Sequence, residues 1–166
     1  VEGSKENELF FEFNIFAIVE GNKAGKIRRE LDSLEEGKTK KKLELELKDI
    51  NKGVALKRDK ISQDCSELFI GKLYKSMTEV KSPDFSDKSE EEQRKFKYLW
   101  MREHFWDKVD FSEDGLVRSP VFHNKLKYYF NTYMPPIADT AIWLGDGLIN
   151  KIEAAGSKEQ YKYTIH

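Results

Sequence analysis

Between Thr39 and Ser62, apolar residues recur with a spacing that only an α-helix can place on one side. Leu43, Leu47, Ile50, Val54 and Ile61 follow one another at intervals of four, three, four and seven. Interleaved lysines and acidic residues fill the positions between, the pattern of a solvated helix face rather than of a ligand patch. Upstream, Gly21, Asn22 and Gly25 read as a break, after which Ile27, Leu31 and Leu34 outline a short amphipathic helix ending near Gly37. Two adjacent helices with near-heptad spacing predict a long N-terminal helical hairpin or a seam that meets another subunit. The stretch from Glu8 to Val19, ELFFEFNIFAIV, supports two readings. Leu9, Phe11, Phe13 and Ile15 alternate as in a strand, whereas Phe10, Phe13, Phe16 and Ala17 share a helical face. Aromatic content favours strand locally, and context favours helix.

The pattern continues past the hairpin. A further amphipathic helix is predicted over about 66–77, with Phe69, Leu73 and Met77 four residues apart. The polar stretch 78–88, containing Ser82-Pro83-Asp84, reads as a loop and a candidate hinge. Ser89-Glu90-Glu91-Glu92 is a capping box, so a helix starts at Ser89 and runs through Phe96, Leu99 and Trp100 towards Trp106. Its acidic first turn suits the positive end of the helix dipole better than it suits a metal. Ser112 to Gly115 reads as a turn, and Ser119-Pro120 as a helix start, with proline at the first helical position and serine as cap. The helix that follows, 120–134, carries Phe122, Leu126, Tyr129, Phe130 and Tyr133 in one stripe, which reads as core. Pro135-Pro136 stops it. A last long helix is predicted over 138–155, burying Ile142, Ile149 and Ile152, with Gly156 closing it. Ser157 then opens KEQYKYTIH, still periodic at its last residue, as expected of a chain cut from something longer. The sum is an all-α, multi-helix bundle read as a single helical domain over 1–166.

Charge and cysteine content narrow the function classes. With 29 basic and 30 acidic residues and a net charge of −1, the chain has no field that would draw it to nucleic acid or an anionic membrane. Cys65 is the only cysteine, which excludes an internal disulfide, a CxxC pair and a cysteine zinc site, and its apolar surroundings read as packing. VEGSKENELFF has no basic and then apolar leader pattern, so the expectation is that any export signal was removed or never existed. No phosphate loop, dinucleotide glycine motif, HExxH, nucleophile elbow or EF-hand loop occurs, so no cofactor and no catalysis are expected.

The polar residues that stand out are Asp110, Arg118, His123 and Asn124, on the loop before the Pro120 helix and on its first turns. One reading makes them a site in a pocket between helices. The other pairs Asp110 with Arg118 to fix the loop and leaves His123 and Asn124 satisfying backbone groups. His104, His123 and a carboxylate such as Asp107 or Asp110 show no metal-ligand spacing, so no metal is expected.

From His104 to Pro136, HFWDKVDFSEDGLVRSPVFHNKLKYYFNTYMPP, the chain resembles a helical Bacteroidetes domain of unknown function that immediately precedes a thioredoxin-like domain of the TlpA/ResA type. The most specific part is the run Arg118 to Leu126, RSPVFHNKL, and ENELFFEFNIFA, the long charged helix and EQYKYTIH extend the likeness over nearly the whole chain. It departs from that pattern at Glu113 to Leu116, where a more arginine-rich turn would be expected. The resemblance implies an exported, extracytoplasmic protein, tied to a membrane only by a lipid anchor outside this chain. It places thiol–disulfide chemistry in a following domain with its own cysteine pair, and no catalytic residue carries over. The expected role is a non-catalytic accessory domain whose partner is a protein or its own thioredoxin-like domain. The alternatives are a ligand-binding or enzymatic domain using the pocket near Arg118 and His123, and a self-associating domain using the Leu43 to Ile61 seam.

Overall fold

A computed structural model describes residues 3–166, so Val1 and Glu2, part of the stretch read for a leader, lie outside it. The described residues form seven α-helices, one 3₁₀ turn and no strand. The chain divides into two compact units, Val1–Lys75 and Ser76–His166, a division that falls just ahead of the polar stretch 78–88.

The first unit is the helical hairpin. Helix α1, Lys5–Leu31, starts at Ser4, whose hydroxyl accepts the Asn7 amide, and α2 spans Lys38–Asp64. The ambiguous stretch 8–19 is helical, and the expected break at Gly21 to Gly25 does not occur. Both glycines sit inside α1 with no positive φ and with open space where a Cβ would lie. A glycine inside a helix costs about 1 kcal/mol relative to alanine, too little to interrupt a helix held by tertiary packing. That packing buries Phe13, Ala24 and Ile27, and Leu34 falls beyond the helix end. Phe13 meets Tyr74 at 4.7 Å between ring centroids. Lys57 of α2 reaches Glu12 of α1 at 2.8 Å and lies 4.7 Å from the Phe16 ring centroid, crossing the hairpin with charge and aromatic contact together.

Helix α3, Phe69–Ser76, is shorter than its apolar spacing predicts because residues 66–68 are spent on a turn. The turn brings α3 so close to the end of α2 that a Cβ on Gly71 would sit 2.0 Å from the Cys65 carbonyl oxygen. Cys65 is buried there as the C-cap of α2, a packing residue as its setting implied. Glu6 of α1 accepts the Ile70 amide at 3.2 Å, so a distant carboxylate serves a first-turn amide of α3.

In the second unit, α4 spans Glu90–His104 with the complete capping box. Ser89 Oγ accepts the Glu92 amide at 3.4 Å while Glu92 Oε2 accepts from the Ser89 amide at 3.1 Å. A 3₁₀ turn, Asp114–Arg118, leads to α5, Pro120–Tyr133, with Pro120 in the first turn as expected. Ser119 does not cap α5: its hydroxyl donates 2.7 Å to the Leu116 carbonyl and closes the preceding turn instead. The aromatic stripe is core. Phe122, Leu126, Tyr129 and Tyr133 are buried, and Phe105 and Trp106 pack their rings against Tyr129 at 5.3 and 5.2 Å.

Helix α6, Ala138–Ala154, buries Ile152 as its isoleucines suggested, but its inward side is shifted away from Ile142. Leu144, Leu148 and Ile152 are buried, whereas Ile142 is 61% exposed and Ile149 only half-buried. Leu144, Leu148 and Ile152 repeat every four residues and form one continuous ridge. Gly156, at φ +76°, ends the helix in the left-handed conformation that glycine adopts without strain. Helix α7, Lys158–Ile165, is capped by Ser157, whose hydroxyl also donates to Asp114. Fully buried Gln160 donates 2.8 Å to the Glu113 carbonyl, so the 3₁₀ turn and the start of α7 hold each other.

Candidate functional site

Arg102 near the end of α4, Trp106 just beyond it, Tyr129 of α5, and Trp143 and Lys151 of α6 border one cavity of about 210 Å³. Each is carried by an element whose own start or stop places it. The capping box fixes where α4 begins, Pro120 fixes the phase of α5, and the Leu144 to Ile152 ridge sets the rotation of α6. Leu144 and Leu148 give the cavity an apolar wall, and Gly147 adds none, because open space lies where its Cβ would be.

The polar groups at this cavity are nearly all donors. Trp106 is 3% exposed, and its indole Nε1 has no hydrogen-bond partner; Arg102 Nε is likewise buried without one. An indole N–H and a guanidinium can only donate. Leaving a buried donor unmet costs about 1–3 kcal/mol. Burial pushes the Tyr129 hydroxyl pKa up, and the nearby Arg102 guanidinium and the Trp106 N–H draw it part of the way back. The Trp106 N–H and the Tyr129 hydroxyl are near neighbours, yet Nε1 makes no hydrogen bond. The Arg102 guanidinium lies 5.9 Å from the Trp143 ring centroid, a cation–π contact that holds both at the rim. Glu103, exposed, is the carboxylate of the lining, and the Tyr129 hydroxyl can both donate and accept. The arrangement can hold and orient a molecule.

The four residues singled out by sequence do not converge here. Asp110 accepts from the amide and hydroxyl of Ser112 at 3.0 and 2.6 Å and so fixes its own loop. Arg118 is exposed at the end of the 3₁₀ turn, and Asn124 is exposed on α5. His123 alone lines a second, open groove of about 690 Å³ between α5 and α7, where its Nδ1 lies 2.8 Å from the Tyr163 hydroxyl. Lys127, Lys162 and Glu159 share that groove, and Arg118 does not.

His104 and Asp107 pair at 2.6 Å, with the imidazole stacked 4.2 Å from the Trp100 ring. No group of three histidine, cysteine or acidic residues gathers among the described residues. Burial lowers the Lys125 pKa, with Glu79 opposing, as its ammonium sits 4.3 Å over the Phe105 ring. No described helix is long and apolar enough to cross a membrane.

Sequence reasoning passed over Arg102, Trp143 and Lys151, and it took Trp106 and Tyr129 only as helix and core. One signal was present: Trp143 lies out of phase with the four-residue ridge of α6, a large aromatic that the core does not need. No family model, no curated protein and no solved structure matches this chain.

Proposed function

We propose that this chain is a non-catalytic accessory domain that docks a protein, and that the protein is a thioredoxin-like domain of a TlpA/ResA-type thiol–disulfide oxidoreductase. The observation that carries the docking role is the outer face of α1. Phe11, Ile15 and Ile18 lie at i, i+4 and i+7 and are 63, 65 and 63% exposed, with Phe10 and Val19 flanking them. Contiguous apolar residues along one helix face, on a chain that is 36% charged, are the usual mark of an interaction surface. The identity of the partner rests on the sequence resemblance, as does an extracytoplasmic setting reached through a lipid anchor outside this chain. Cys65 is buried and single, which fits a helper of thiol chemistry rather than its agent.

The test mixes this chain with an oxidised and a reduced TlpA/ResA-type domain and follows backbone amide resonances. Shifts confined to the outer face of α1, weakened about 30-fold by Ile15→Lys, are expected, since a hot-spot residue contributes about 2 kcal/mol or more. Insulin reduction by this chain alone should be nil. Absence of binding in both redox states, or an α1 face already covered in a self-dimer, would refute the reading.

A further inference from the structure

We propose that the cavity bordered by α4, α5 and α6 binds a small amphipathic carboxylate, its acid group against Arg102 and Trp106 and its apolar body between Trp143 and the Leu144–Leu148 wall. This goes beyond the docking role and stands independently of it. The chemistry of the donor set decides the class of ligand. Trp106 Nε1 and Arg102 Nε are both buried and unpartnered, and neither can accept a hydrogen bond. An incoming group must therefore bring acceptors. Arg102 and Lys151 border the cavity against one carboxylate, Glu103, which is exposed, so the balance favours an anion over a cation. Trp106, Tyr129 and Trp143 would by themselves suit a quaternary ammonium. The Arg102 guanidinium already occupies the Trp143 face, 5.9 Å from its ring centroid, and would repel such a cation.

Size sets the rest. At about 210 Å³ the space is smaller than the roughly 300–1,000 Å³ of pockets that enclose drug-sized ligands. It suits an acid with about ten non-hydrogen atoms, for which micromolar to millimolar affinity is ordinary. Arg102 offers a planar fork for a carboxylate, which a lysine at the same place would not.

Phenylacetate is the probe, with phenethylamine as its cationic counterpart and acetate as the acid without a body. Titration of the whole chain is followed by the Trp106 indole N–H resonance and by calorimetry. Phenylacetate should saturate and move that resonance, while phenethylamine and acetate should not. Arg102→Gln should weaken binding at least tenfold. Gly147→Leu should abolish it, because Gly147 borders the cavity with open space at its Cβ position, and a leucine grown from there competes with the ligand for the same volume. Gly145→Ala, which adds a Cβ to α6 outside the cavity lining, should leave it intact. If Arg102→Gln disturbs folding, Gly147→Leu still decides the matter, with circular dichroism checking the helix. No perturbation at millimolar phenylacetate, equal binding of phenethylamine, or full binding by Gly147→Leu would each overturn the proposal.

Discussion

The same substitution, glycine to alanine, should move the stability of the hairpin unit in opposite directions at Gly71 and Gly21. At Gly71 the added Cβ meets the Cys65 carbonyl oxygen at 2.0 Å and its carbon at 2.6 Å, where ordinary contact begins near 3.4 Å. The obstacle is backbone, so no side chain can swing aside. The turn must open by well over an ångström against two bonds of 3.0 Å, Cys65 N–H to the Ile61 carbonyl and Leu68 N–H to the Cys65 carbonyl. Overpacking of this kind costs about 1–3 kcal/mol, and weakening a hydrogen bond adds about 0.5–1.5 kcal/mol. The helix-propensity gain of alanine returns about 1 kcal/mol, leaving a net loss of about 2 kcal/mol. At Gly21 nothing lies within 4 Å of the new Cβ and φ is not positive, so only the gain of about 0.5–1 kcal/mol remains. For a chain of this size, about 2–4 °C of melting temperature corresponds to each kcal/mol. Gly71→Ala should therefore melt about 4–8 °C lower and Gly21→Ala about 1–4 °C higher. Both positions lie within Val1–Lys75, so far-ultraviolet circular dichroism follows them in the same transition. A Gly71→Ala protein as stable as the parent would refute the close approach of α3 to α2.

The second unit supplies four further outcomes. Ile152→Ala should lose about 2–5 kcal/mol in urea unfolding, whereas Ile142→Ala, at an exposed position, should stay within about 0.5 kcal/mol; equal losses would mean that α6 is rotated. Gln160→Ala removes the buried bond to the Glu113 carbonyl and should cost about 2 kcal/mol, with hydrogen exchange accelerated first in α7 and the 3₁₀ turn. Ser89→Ala should cost about 1 kcal/mol. The Ser89 hydroxyl and amide hold the Glu92 carboxyl below its ordinary value of 4.5, so its contribution is complete above that pH and fades as pH falls through the lower folded value. Glu92→Gln should flatten that acid limb in amide exchange of the first turn of α4, and an unchanged limb would assign it to other carboxyls.

How much the sequence disclosed depends on the range of the forces involved. The box at Ser89 and the proline at 120 were legible because a cap is settled within four residues. The stripe from Phe122 to Tyr133 was legible because a helix repeats its inward side every three or four. Gly21 and Gly25 misled for the complementary reason: a local cost of about 1 kcal/mol each was outweighed by burial of Phe13, Ala24 and Ile27 in the hairpin. Ser119 stands between the 3₁₀ turn and α5, and the turn before it took the hydroxyl. Of Asp110, Arg118, His123 and Asn124, adjacency in sequence put them together, yet only His123 of the four lines the groove between α5 and α7.

The sequence by itself determined an all-α chain and the helix starts at Ser89, Pro120 and Ser157, because these depend on periodicity and on hydrogen bonds between near neighbours, while it left open whether the N-terminal helices pair with each other or with another subunit. Only the tertiary structure decided that α1 runs unbroken and packs on α2, that α6 turns Leu144 and Leu148 inward and Ile142 outward, and that Arg102, Trp106, Tyr129 and Lys151 meet around one cavity. Those outcomes rest on the relative rotation and distance of helices, which packing fixes and no spacing along the chain encodes.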